Sequence, residues 1–281
     1  MPALVAGIHA VKLPRRLQNL ARTFFESHLR TTAWVPATSA GMTARLEYAI
    51  DPRMPSPLTV KICGLSTPPT LAAALDAGAD MVGFVFFPPS PRHLSLETAR
   101  NLSQQVGGKA LKVALSVDAD DALLEGIVAA LAPDWLQLHG RETPERVRAI
   151  KARFGLPVMK ALHISTHDDL AAIAAYDGVA DRLMFDAKPP KGAVLPGGNG
   201  AAFDWTILEN MSLQAPWMLS GGLGPDNVAE ALRVTRAPGV DVSSGVERAP
   251  GVKDEAMIVD FVARARAAAS ALSLGSRADP P

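Results

Sequence analysis

Val60-Lys61-Ile62-Cys63-Gly64 ends an apolar run on the only cysteine of the chain. In an extended strand successive side chains alternate, so Val60 and Ile62 point one way and Lys61 and Cys63 the other. A lysine and a thiol then share a face. If that face looks into a polar cavity, the ammonium lowers the thiol's pKa and favours the thiolate. A buried, inert cysteine is the other reading of the same residues, since free cysteine is among the most buried residue types. What surrounds the stretch has to decide between them.

Outward from it, one unit recurs. Short apolar runs that read as strands lie at 58–62, 81–86, 111–117, 135–138, 158–162, 182–185, 217–219 and 240–242. Between them, 72–79, 96–106, 122–131, 144–154, 168–175, 226–234 and 256–269 carry apolar residues at i, i+3 and i+4, the helical period, several with capping residues or prolines at their starts. The connection after Asp186 holds the weakest helix, over 205–209. Strand–helix alternation predicts a parallel sheet, and eight repeats in about 215 residues predict its closure into a single (β/α)8 TIM barrel. An open dinucleotide-binding sheet is disfavoured, because no G-x-G-x-x-G turn follows the first strand.

Composition agrees with one large globular domain over 58–272. The 281 residues are 48% hydrophobic and 20% charged, and 28 basic residues balance 28 acidic ones, so nothing in the overall charge calls for a nucleic acid or a membrane surface as partner. One cysteine excludes an intrachain disulfide and fits a reducing, cytoplasmic setting. No apolar run approaches the roughly 20 residues that span a bilayer. Residues 1–57 differ from the rest: arginine-rich, without the strand–helix rhythm, and with one short helical pattern over 17–29. Three readings stand for this stretch: an organelle leader, an arm contacting another subunit, and, favoured here, a poorly structured dispensable extension ahead of a domain that opens at Met54-Pro55-Ser56-Pro57. Residues 273–281 read as a frayed tail.

A barrel directs attention to the carboxyl ends of its strands, where active sites are built from the loops that follow. Those ends are Cys63, the loop Pro88-Pro89-Ser90-Pro91-Arg92-His93, His139, Asp186, Ser220-Gly221-Gly222 and Ser243-Ser244-Gly245. The last two clusters suit a phosphate: small residues let backbone N–H groups approach an anion, and barrels commonly place such a site after strands seven and eight. Tight turns are the plainer use of the same glycines. Asp226 and Asn227, next to Pro225, read as helix-start residues. Asp241 and Lys61, on neighbouring strands once the barrel closes, read as an ion pair that could also tune Cys63.

The runs Lys61-Ile62-Cys63-Gly64, Gly83-Phe84-Val85-Phe86-Phe87-Pro88-Pro89-Ser90-Pro91-Arg92, Leu136-Gln137-Leu138-His139-Gly140, Phe203-Asp204-Trp205, Ser220-Gly221-Gly222-Leu223 and Val240-Asp241-Val242-Ser243-Ser244-Gly245-Val246-Glu247 resemble those of the phosphoribosylanthranilate isomerases, over residues 58–269. The resemblance implies a cofactor-free and metal-free isomerase of tryptophan biosynthesis that acts on a small sugar phosphate by an Amadori rearrangement. Such a reaction needs an acid that protonates the ring oxygen and a base that removes the proton from C2. Cys63 matches the family's base and Asp186 its acid. The thiol must then lose its proton readily while the carboxyl holds one. Arg92 matches an arginine that could pair bidentately with the anthranilate carboxylate. His139 either lines the cavity or is a satisfied core histidine. Gly221, Gly222, Ser243, Ser244 and Gly245 would cradle the phosphate. Monomer and homodimer both remain open as the assembly.

The chain departs from the family pattern at Ala114-Leu115-Ser116-Val117-Asp118, where no role is assigned. It departs again in the glycine- and proline-rich segment 188–200, which has Asn199 where threonine is usual and is long enough to close on substrate.

Overall fold

A computed structural model describes residues 58–189, 192, 195–198, 200, 202–209, 211 and 213–275. The strands β1 (Thr59–Cys63), β2 (Met81–Phe86), β3 (Leu111–Ser116), β4 (Trp135–Leu138), β5 (Val158–Ile164), β6 (Arg182–Ala187), β7 (Trp217–Leu219) and β8 (Gly239–Val242) pair in chain order, all parallel, into a closed barrel. The ring is shut by β8 against β1, with Lys61 opposite Asp241. This is the (β/α)8 architecture expected from the alternation.

The intervening helices are α1 (Pro68–Asp76), α2 (Leu96–Val106), α3 (Asp121–Leu131), α4 (Pro144–Phe154), α5 (Val228–Thr235) and α6 (Glu255–Gly275). Their ends follow local chemistry. Ser95 accepts the N–H of Thr98 and Thr143 that of Arg146, while Gly107 and Gly155 close their helices in the left-handed conformation. The helix expected over 168–175 is instead a 3-10 segment, His167–Ala175, in which only Ile173 is buried. With a single anchoring side chain there is no apolar face to hold a longer α-helix against the barrel. The weak helix after Asp186 is likewise a 3-10 turn, Trp205–Leu208. The first helix starts at Pro68, ahead of the expected 72, because proline suits a first turn.

Side-chain parity matches the alternation. Val60 and Ile62 join the layer between barrel and helices, whereas Lys61 and Cys63 point inward. The barrel interior is filled by Met81, Val113, Met159, Ala161, Met184 and Met218, and above them by Cys63, Val85 and Leu115. After β8, two short antiparallel strands not foreseen from sequence, β9 (Glu247–Ala249) and β10 (Val252–Lys253), fold back over the barrel mouth. Helix α6 continues past the expected domain end at Leu272. The expected extension 1–57 with its short helix, the tail residues 276–281, and Asn199 lie outside the described residues. Among the described residues no helix is long and apolar enough to cross a membrane.

Candidate active site

The strand ends converge on a cavity at the carboxyl mouth of the barrel, lined by Cys63, Arg92, His139, Asp186, Gly221, Gly222, Ser243 and Ser244 among others. Cys63 is 3% exposed at the end of β1. Beneath it the Lys61 ammonium is fully buried and donates to Asp241 Oδ1 at 2.6 Å, and Ser220 Oγ donates to Asp241 Oδ2 at 3.0 Å. Gly83 on β2 makes room for both groups: a Cβ there would lie 2.9 Å from Cys63 Sγ and 3.2 Å from Lys61 Nζ. Burial presses the Lys61 pKa down, but Asp241 and then Cys63 more than offset this, so it stands above the ordinary lysine value.

The thiol departs from expectation. Burial is the largest influence on it and raises its pKa; the neighbouring Lys61 and Lys253 pull the other way but do not prevail, and Asp241 adds to the rise. Cys63 therefore releases its proton less readily than a free thiol, not more. A lysine placed beside a thiol lowers its pKa only to the extent that its charge is not already spent on a carboxylate.

Asp186 is 4% exposed near the end of β6. Its Oδ1 accepts the N–H of Ala187 at 2.9 Å, and its Oδ2 lies 3.1 Å from His139 Nε2. Gln137 Nε2 lies 3.1 Å from His139 Nδ1, and an amide NH2 can only donate. With the Gln137 amide in this orientation the imidazole proton sits on Nε2, donated to Asp186; the reversed amide places it on Nδ1. His139 lines the cavity and has a polar neighbour at each ring nitrogen. The loop that carries it is pinned from two sides. Lys160 donates to Gly140 O at 2.8 Å and to the buried Glu142 at 3.0 Å. Glu142 in turn accepts the N–H of Asp118, whose own carboxylate takes the N–H of Arg141 at 2.6 Å.

Arg92 lies in the mouth, 5% exposed, but its fork is already engaged. Nε and Nη2 donate to Glu247 Oε1 and Oε2 at 2.7 and 2.8 Å, and Nη2 also reaches Gly198 O at 3.3 Å. The bidentate pairing expected with a substrate carboxylate is therefore made here with a protein one. The hairpin of β9 and β10 is the cause, since it brings in Glu247 together with Lys253, which bonds Glu247 at 2.8 Å and Ser243 O at 2.9 Å. In segment 188–200, Gly197 stands against the Asp186 and His139 pair, where a Cβ would lie 2.5 Å from Asp186 Oδ2.

The loops after β7 and β8 press together, with Gly245 against the backbone of Leu223 so closely that no Cβ fits. Asn227 does not cap α5 with its side chain. Its Oδ1 accepts the N–H of Gly224 at 2.8 Å and its Nδ2 donates to Gly222 O at 2.9 Å, which staples the glycine loop. Asp226 is exposed and 3.7 Å from Arg264.

Residues 60–264 match the family model described as N-(5'phosphoribosyl)anthranilate (PRA) isomerase. The chain belongs to this isomerase family. It is 67% identical over 210 residues to the N-(5'-phosphoribosyl)anthranilate isomerase of Bradyrhizobium diazoefficiens, covering 75% of this chain and 94% of the relative. With that of Rhodopseudomonas palustris (strain HaA2) it shares 64% identity over 210 residues, covering 75% and 96%. Its fold is similar to the crystal structure of phosphoribosyl anthranilate isomerase from Thermotoga maritima, with a TM-score of 0.68, 34% identity, and coverage of 75% of this chain and 99% of that one. A further similar structure is a phosphoribosyl anthranilate isomerase in complex with reduced 1-(o-carboxyphenylamino)-1-deoxyribulose 5-phosphate, with a TM-score of 0.63 and 31% identity over 75% and 99% of the two chains.

Within the isomerase barrel, sequence reasoning assigned no role to Glu247, Lys253, Glu142 or His163. Glu247 stood inside a quoted motif, but nothing local marks it as the partner of Arg92, 155 residues away. His163 could have been found. It follows the strand expected over 158–162, and strand-end residues were the search rule. Its side chain faces His139, with ring centroids 5.5 Å apart.

Proposed function

We propose that Cys63 and Asp186 are the base and acid with which this chain isomerises N-(5'-phosphoribosyl)anthranilate, the family's reaction in tryptophan biosynthesis. The observation that carries the assignment is that both side chains, from β1 and β6, line the same cavity at the carboxyl mouth. Asp186 protonates the furanose ring oxygen, and the bond from that oxygen to C1 breaks as the anilino nitrogen forms an iminium. Cys63, as thiolate, takes the proton from C2. The electrons of that C–H bond form an enolamine, which becomes the aminoketose by losing its O–H proton and gaining one at C1. His139 holds the Asp186 carboxyl in place. The end-on edge of Arg92, Nη1 and Nη2, receives the anthranilate carboxylate by displacing the contact to Gly198. Gly221, Gly222, Ser243, Ser244 and Gly245 hold the phosphate.

A thiol that must stay reduced to act as a base favours a reducing compartment, and we place the reaction in the cytoplasm. The assembly is a monomer or a homodimer, a choice that sedimentation decides.

The test is the decay of anthranilate fluorescence on adding enzyme to freshly generated substrate. Cys63→Ser and Asp186→Asn should each slow turnover by roughly 10²- to 10⁴-fold, the usual worth of a positioned acid or base. Undiminished turnover in either variant would remove that residue from its role.

A further inference from the structure

We propose that His139, His163 and Asp186 form a binding site for a transition-metal dication of the zinc class. One ligand atom from each of the three lies within 4.8 Å of the other two. They come from the ends of three successive strands. His139 follows β4, and His163 on β5 is paired in register with Asp186 on β6. Two imidazoles and one carboxylate are a donor set that suits zinc, cobalt and nickel rather than magnesium or calcium. At zinc–ligand distances of 2.0–2.2 Å the donor atoms of a tetrahedral site stand about 3.3 Å apart. The His139–Asp186 pair is at 3.1 Å already, so small rotations of His163 complete the triangle.

One further observation points to a ligand: His163 Nε2 is buried and has no hydrogen-bond partner among the described residues, and a metal would supply one. With the ion on His139 Nε2, the imidazole proton moves to Nδ1. A half-turn of the Gln137 amide then presents Oε1 to accept it, the outer hydrogen bond that metal-bound histidines usually carry. Gly197 packs against this donor pair, and a Cβ there would lie 2.6 Å from His139 Nε2, so only a glycine at this position leaves the pair accessible to an ion.

Metal binding uses the carboxylate that the isomerisation needs as a proton donor, so the ion acts as an inhibitor. This consequence, unlike the site itself, rests on the assignment of Asp186 as the acid. Cobalt provides a readout independent of activity. The metal-free full-length protein titrated with Co²⁺ should develop a visible ligand-field band at one equivalent, and Zn²⁺ should displace it. His163→Phe should turn over like the parent while weakening the metal by more than the 10–100-fold typical of losing only an outer hydrogen bond. Zn²⁺ should inhibit the parent and spare this variant, Mg²⁺ should do neither, and a chelator should restore activity. No visible band in the parent overturns the site, as does an unchanged band in His163→Phe. A near-ultraviolet thiolate-to-cobalt band also overturns it, by making Cys63 the ligand. A band without inhibition upholds the site and counts against Asp186 as the acid.

Discussion

Cys63 owes its behaviour to a competition between burial and charge. Lys61 lies directly below it but is committed to Asp241, so its charge only partly offsets the cost of ionising a thiol away from water. If Cys63 is the base, kcat/KM should climb with pH along a limb whose apparent pKa lies above an ordinary thiol's value of about 8.5. Lys253→Met removes a second cation that lowers the thiol and should move the limb further up. A pH profile followed together with thiolate absorbance checks both, and a profile flat from neutral pH upward would sink the idea. Stability has the same sign. Cys63 and Lys61 both hold protons more tightly folded than unfolded, so their contribution is complete below the unfolded thiol pKa and is lost as pH rises through the folded values. The lysine and the thiol were legible from a five-residue run because strand parity puts them on one face. The direction of the thiol's shift was not, because it is set first by burial in the closed barrel, with Asp241, 180 positions from Lys61, adding to the rise.

Among the elements, the strands and α2, α3 and α4 were readable because each carries its own period and its own stop signals. The 3-10 segments and the hairpin of β9 and β10 were not. The first depends on how little of His167–Ala175 finds a burial site, and the second pairs strands of three and two residues, too short to show alternation. That hairpin supplies Glu247 and Lys253, so part of the mouth was out of sight with it. The glycine loop after β7 shows a related limit. Asn227 has the composition of a cap and the position of one, yet it bonds backward to Gly222 and Gly224. Asn227→Ala should therefore act on the loop more than on α5. Steady-state kinetics should show KM raised several-fold with kcat nearly unchanged, as expected for lost ground-state and transition-state binding alike. A fall in kcat with KM unchanged would show that the loop serves the chemistry instead of the phosphate.

At the scale of the molecule, all eight barrel strands and, among the described residues, every residue of the mouth lie between Thr59 and Lys253, and the family match begins at residue 60. A chain begun at Met54 should then melt within a degree or two of the intact protein and turn over at the same rate, as calorimetry and the fluorescence assay would show. A clear loss of either would give residues 1–53 a part in the barrel or its assembly. The pair that shuts the ring has a consequence for how the fold is reached. Lys61 sits in the first strand and its counter-charge in the last, and an ammonium sealed from water without a partner is among the costliest things a core can contain. During synthesis, a chain that has delivered seven strands still has no acceptable interior for that lysine. The early strands should therefore keep it wet until β8 leaves the ribosome, which predicts that a nascent chain stopped before β8 stays open to protease while one that includes β8 does not.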